Sequence, residues 1–171
     1  MQPRQTAFKC YISHIVNGNY VKKEGEFEPN YIEINSKNKA KKISRVNIVA
    51  NVVQKFESEN KDYKFIVLDD GTASIRVKAW GLDINLFDDI NIADIVLLIG
   101  KVKIYNNEIY LTPEIVKKVD INWELLRKLE LLKGYGKPEI ITTEIQGNTE
   151  VEKYTEDSLD VVEEVVENTE E

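Results

Sequence analysis

Two segments with strand-like alternation carry the side chains best suited to bind a ligand. In Ser74-Ile75-Arg76-Val77-Lys78-Ala79-Trp80, the residues Ile75, Val77 and Ala79 point one way and Ser74, Arg76, Lys78 and Trp80 the other, because successive strand residues face opposite sides. Gly100-Lys101-Val102-Lys103-Ile104-Tyr105 repeats the arrangement, setting Gly100, Val102 and Ile104 against Lys101, Lys103 and Tyr105. Each polar face carries two cations and ends in an aromatic ring. Cations neutralise phosphates, and exposed rings stack on unpaired bases at ~1–3 kcal/mol per base, whatever the base. The plain alternative is a solvated strand face closed by rings that cover a barrel rim. Four such contacts to single-stranded DNA give a slope of log K against log salt of about −3, at ~0.7 per contact. That footprint suits one module among several.

Other candidate chemistry is thinner. Asp69 and Asp70 are adjacent carboxylates, but consecutive strand residues diverge, and Asp69-Asp70-Gly71-Thr72 reads as a hairpin turn. Cys10 and His14 are the single cysteine and the single histidine, so they cannot form an internal disulfide or a Cys/His zinc site. Gly100-Lys101 matches the end of a phosphate loop by two letters only. No enzyme, cofactor or metal is expected.

The elements that must position the two segments read as strands. Arg45 to Phe56 places Val46, Ile48, Ala50 and Val52 on one face, and Arg45, Asn47, Asn51 and Lys55 largely on the other. A polar loop runs from Glu57 to Asp62, a second strand from Tyr63 to Leu68, and the third is Ser74–Trp80. Residues 82–93 form a weakly patterned connection. Ile95 to Tyr105 is a fourth strand, Asn106-Asn107-Glu108 a tight turn, and Ile109 to Val119 a fifth, where Pro113 demands an edge or a bulge. Five strands with this loop pattern predict an all-β architecture, a five-stranded Greek-key barrel of the oligonucleotide-binding (OB) type over residues 44–120. The two rings are expected to face outward beside positive charge on neighbouring strands. Residues 1–43 form an N-terminal extension whose structure the pattern does not settle.

A helix follows over 121–133, with Asn122 as expected N-cap. Its stripe of Leu125, Leu126, Leu129 and Leu132, with Trp123 near the start, fits a subunit interface, and Leu131 widens it.

The chain has 171 residues and a formal net charge of −7, but the total hides a division. Residues 1–133 carry 21 Lys+Arg and 18 Asp+Glu, a balance of +3, whereas 134–171 carry Lys137 and Lys153 against 12 acids. A mildly basic body with an acidic tail is compatible with a nucleic-acid partner. The tail, 134–171, begins with the hinge-like Gly134-Tyr135-Gly136-Lys137-Pro138 and is expected to be disordered. Ser158 to Glu167 within it has a helical pattern too weak to fold without a partner. The start lacks a signal peptide's apolar run, and no stretch reaches the ~18 apolar residues of a membrane span. A cytoplasmic, nucleoid-associated location is expected.

The ordered set Ser44-Arg45-Val46-Asn47-Ile48, Phe65-Ile66-Val67-Leu68-Asp69-Asp70-Gly71-Thr72-Ala73, Ile75 to Trp80 and Gly100 to Tyr105 resembles the OB domain of the replication protein A middle subunit. It also resembles archaeal replication protein A-associated proteins, to whose N-terminal stretch Tyr20-Val21 and Glu28-Pro29-Asn30-Tyr31 are similar. The similarity covers about residues 8–132. It implies that Trp80 and Tyr105 are the base-stacking rings, and that the helix over 121–133 joins a heterotrimer. Two features depart from the pattern: the tail has no room for the middle subunit's winged-helix domain, and the large subunit's zinc-binding cysteines are absent.

The expected function is therefore a single-stranded DNA-binding subunit of a replication protein A-like complex in DNA replication, repair and recombination. Arg76, Lys78, Lys101 and Lys103 would hold phosphates, and Lys55 and Lys61 would contribute from the first loop. Other subunits would bind through the helix, and basic replication or repair proteins through the acidic tail. The alternatives are a structural OB-fold assembly subunit that barely touches DNA, and an RNA-binding OB module.

Overall fold

The computed structural model describes residues 5–23, 30–36 and 39–141. The helical pattern at Ser158–Glu167 and the Glu28-Pro29 pair lie outside the described residues.

The barrel is built from β5 (Arg45–Glu57), β6 (Tyr63–Asp69), β7 (Ser74–Trp80), β8 (Ile95–Tyr105) and β9 (Glu108–Lys118). The long β5 pairs with β8 over Arg45–Asn51 and with β6 over Asn51–Glu57, so one strand serves both edges and closes the sheet. The order is β5-β6-β7-β9-β8 and back to β5, with β7 and β9 parallel at Val77↔Leu111. Thus β7 and β8 are not neighbours, contrary to the sequence expectation. β9 lies between them. Closure buries the alternating apolar set Val46, Ile48, Val52, Ile66, Leu68, Val77, Val96, Leu98 and Leu111.

Two irregularities steer side chains. In β5 the register shifts between Val52 and Gln54, so Val53 bulges and every later residue changes face. Lys55, expected on the outer face, is thereby turned inward. Its ammonium donates to the carbonyls of Phe87 (3.0 Å) and Ile90 (2.7 Å), closing the end of the 3-10 helix Gly81–Phe87. The second shift, between Ile99 and Gly100, falls opposite Pro113 and Glu114, where the missing donor of proline requires it. Gly100 itself admits no side chain, since a Cβ there would lie 2.6 Å from the Thr112 carbonyl oxygen.

The described residues of the 8–43 stretch belong to the same body. β1 (Phe8–Lys9) pairs in parallel with β5, α1 (Ile12–Val16) follows, and β2 (Asn19–Val21), β3 (Tyr31–Ser36) and β4 (Lys39–Ile43) form a small antiparallel sheet. Ile12, Ile15, Ile32, Ile34 and Ile43 are buried in one cluster with the barrel residues. The turn Asp69-Asp70-Gly71-Thr72 latches this region down. Asp70 accepts from Ile12 N (2.9 Å) while Thr72 Oγ1 accepts from Ser13 N (3.1 Å), and Gly71 supplies a φ of +83°. The carboxylate pair is thus committed to the turn.

α2 (Ile121–Tyr135) is capped by Asp120, whose side chain accepts from Asn122 N at 2.8 Å; Asn122 is not the cap. The helix lies on β5 through Arg127 and Leu131, both buried. Arg127 donates to the Asn47 carbonyl (2.6 Å) and to its side-chain oxygen (2.9 Å). The helix also runs past the expected end at 133. Tyr135 donates to the Lys9 carbonyl (2.9 Å), and Ile141 N reaches the Thr72 carbonyl (2.7 Å), so Gly134 to Ile141 stays on the body and does not act as a hinge.

Candidate nucleic-acid interface

β7 keeps its alternation to the end, burying Ile75, Val77 and Ala79, so Arg76, Lys78 and Trp80 share the outer face. Gly81 follows with a φ of +57°, which turns the chain away and leaves the indole 48% exposed. On β8 the inner residues are Gly100 and Val102, and the outer ones Lys101 and Lys103. The hairpin Asn106-Asn107 has φ of +48° and +62°, the geometry of a two-residue type I′ turn, and aligns Tyr105 directly opposite Glu108. Tyr105 stands 67% exposed at the tip.

Cross-strand partners share a face. Lys103 faces Tyr110 and Lys101 faces Thr112, and Glu108 reaches across to β7. Its two oxygens accept from Arg76 Nη1 (2.8 Å) and Lys78 Nζ (2.7 Å). Both rings and all four cations picked out by alternation therefore lie on one outer face, carried on β7 and β8 and bridged by β9.

Four further rings join Trp80. Phe56 stacks on Phe65 with centroids 5.0 Å apart, and Tyr63 lies 6.1 Å from Phe65 and 5.2 Å from Trp80. Tyr110 meets Trp80 edge-on at 6.2 Å. The series runs across β5, β6, β7 and β9. Two of the cations lie over its rings, Lys78 above Tyr110 (4.6 Å) and Arg76 above Phe65 (5.7 Å). Tyr63 and Phe65 were legible in the alternation of Tyr63-Lys64-Phe65-Ile66, whereas Phe56 faces outward only because of the bulge at Val53. No ring contact joins Tyr105 to the series among the described residues.

The site's electrostatics are set by Glu108. Burial pushes its carboxyl up, but the hydrogen bonds and charges of Lys78 and Arg76 outweigh this and hold it below the usual carboxylate range. Burial first, then the Glu108 charge, pushes the Tyr63 hydroxyl up; burial, then Tyr20, then Glu108 does so for Tyr110. Both phenols stay neutral donors. Lys101 is exposed and sits 3.8 Å from Glu114, which Arg45 also holds. Lys61 is exposed in the β5–β6 loop at a φ of +56°. Lys55, bound to two carbonyls, points away from this face.

Cys10 and His14 are not part of this face. Burial, with the Asp70 charge adding, pushes the Cys10 thiol up to about 12, so it remains protonated and is no nucleophile. Among the described residues no group of three or more His, Cys, Asp or Glu side chains converges to hold a metal, and no helix is long and apolar enough to cross a membrane.

Residues 46–119, the barrel strands almost end to end, match the family described as the OB-fold nucleic acid binding domain. The barrel is an OB fold. Three solved structures share it. A chain of a replication protein A heterotrimer bound to ssDNA is similar with a TM-score of 0.58 at 20% identity, over 75% of this chain and 94% of that one. A chain of the S. pombe Stn1-ten1 complex gives 0.59 at 16% identity, over 75% and 90%. One from yeast RPA bound to ssDNA gives 0.54 at 19% identity, over 77% and 92%. No curated protein sequence matches the chain. In this OB fold, the ring series crosses the outer face of the second and third barrel strands, where oligonucleotides meet such barrels.

Proposed function

We propose that the chain is a single-stranded DNA-binding subunit of a multi-subunit complex of the replication protein A kind, serving DNA replication, repair and recombination. The observation that carries this reading is the exposed Trp80 at the centre of a ring series flanked by cations. Unpaired bases have π-faces that such rings can cover, and an exposed indole on a charged face does nothing for the barrel's own core. Trp80 and Tyr105 stack bases, while Lys101 and Lys103, with Lys61 from the β5–β6 loop, take phosphates. Arg76 and Lys78 belong to the same face in the role argued below.

The outer side of α2 supplies the subunit contact. Arg127 and Leu131 occupy the barrel side, and Trp123, Leu125, Leu126, Leu129 and Leu132 are all exposed. An apolar stripe of this extent, opposite a face already docked, fits a partner helix. The same observation favours a second reading, a structural assembly subunit that touches DNA barely.

A Trp80→Ala/Tyr105→Ala double variant separates the two. Loss of oligo-dT binding in fluorescence anisotropy, with co-purifying partners retained, supports the DNA-binding reading. Retained binding rejects it. Direct competition between dT and U oligomers decides whether RNA is the preferred strand.

A further inference from the structure

Three of the four cations on the ring-bearing face have a carboxylate within salt-bridge distance, and two of them share the same one. Glu108 gives one oxygen to Arg76 (2.8 Å) and the other to Lys78 (2.7 Å). Lys78 is enclosed on a second side by the Tyr110 ring, and its side chain is only 12% exposed. Arg76 likewise lies over Phe65. By contrast Lys101 is open to solvent, with Glu114 no nearer than 3.8 Å, and among the described residues Lys103 has no carboxylate within salt-bridge distance.

We propose that Glu108 sets how many phosphates this face can hold: it occupies Arg76 and Lys78 itself, so these two position the rings and phosphate falls to Lys101 and Lys103. The inference rests on the single-stranded DNA reading and refines it. Three features of the face support it. The type I′ turn fixes Glu108 opposite Tyr105, so the carboxylate has no flexible loop on which to withdraw. A phosphate that took Arg76 or Lys78 would strip one oxygen of that carboxylate of its partner and set a second anion against it beside Tyr63 and Tyr110, a like-charge contact in a partly desolvated place. The cations, held between carboxylate and ring, in turn fix Phe65 beside Tyr63 and Tyr110 beside Trp80.

The test is the salt dependence of oligo-dT binding by the full chain between about 50 and about 200 mM salt. Removing the carboxylate charge with Glu108→Gln frees two cations, so the slope should steepen by about 1.4, at ~0.7 per contact. The affinity ratio of variant to wild type should then grow about sevenfold from high to low salt. The triple variant Arg76→Gln/Lys78→Gln/Glu108→Gln removes the whole triad and should keep the wild-type slope. Lys101→Gln/Lys103→Gln should flatten it by about 1.4. An unchanged slope in Glu108→Gln, or a triple variant flatter than wild type by about 1.4, overturns the proposal. Thermal melts confirm that each variant is folded.

Failure of this proposal and failure of the DNA-binding reading leave different marks. If Trp80→Ala/Tyr105→Ala weakens binding but Glu108→Gln keeps the wild-type slope, only the role of Glu108 falls. If wild type binds no oligo-dT, both fall.

Discussion

At the scale of single residues, the ring-bearing face is a balance between one carboxylate and the groups around it. Trp80→Ala should cost ~1–3 kcal/mol of single-stranded DNA affinity for the base it stacks, measured by anisotropy, while the half-exposed indole leaves the melting temperature nearly unchanged. Glu108 has a separate signature in acid. Its carboxyl is held below its ordinary value in the folded chain, so it binds fewer protons there than when unfolded. The stability it contributes is complete above about pH 4.5 and is lost as the pH falls below that value. Glu130 and Asp94 share the direction, Glu130 chiefly through its hydrogen bond from Lys9 and Asp94 through that from Lys118. Melting temperatures between pH 6 and pH 3 should therefore fall less steeply in Glu108→Gln than in wild type. Parallel curves would remove the coupling.

At the scale of elements, α2 has two faces with opposite jobs. Arg127 is buried and donates to both acceptors of Asn47 and to Glu130 (3.2 Å), so Arg127→Ala removes both bonds to Asn47, while Glu130 keeps Lys9. It should cost about 2–3 kcal/mol in urea unfolding. Leu125→Ser and Leu129→Ser, on the exposed side, should stay within about 0.5 kcal/mol each and instead change the association state seen by sedimentation. The end of α2 also meets α1. His14 packs between Tyr11 (5.2 Å) and Tyr135 (4.9 Å), with its Nδ1 buried and without a hydrogen-bond partner among the described residues. Burial pushes its pKa down, against the opposing charges of Asp70 and Glu139. The unfolded chain therefore takes up a proton first, and stability falls as the pH drops below about 6.5. Replacing the ring by His14→Phe should shrink the difference in melting temperature between pH 7.5 and pH 5.5; an undiminished difference would place its origin elsewhere.

At the scale of the whole molecule, the acidic end and the basic body are joined differently from what composition implies. Net charge changes sign near residue 134, but the chain stays bound to the body as far as Ile141, through Tyr135, the Gly136 carbonyl taken by Tyr11 (3.1 Å), and Ile141 itself. A deletion from 134 would strip part of α2 and its contacts. Deletion of 142–171 removes only acids and Lys153 from the charge balance and is the proper test of tail competition. If the tail competes with DNA for the basic face, that deletion should tighten oligo-dT binding at low salt, with the gain vanishing at high salt. Equal affinity at low salt rejects the competition.

The barrel and the outward placement of Trp80, Lys101, Lys103 and Tyr105 are legible in the order of residues alone. Strand alternation is local physics, and a period of two assigns a face wherever pairing is regular. It failed where a long-range register shift intervened. The bulge at Val53 reversed Lys55 and Phe56, sending the cation inward to the Phe87 carbonyl and the ring outward onto Phe65. Glu108 was read as part of a turn because Asn106-Asn107-Glu108 looks like one. Only the type I′ geometry makes it the first residue of β9 and aims it at Arg76 and Lys78. The elements from Phe8 to Ile43 are illegible for a related reason: the short strands and five-residue helix carry little local signal and take their shape from the shared core. Tertiary structure decided which charges on the face stay free, because neutralisation by a carboxylate 30 or more residues away is a fact of pairing between strands, and no local pattern encodes it.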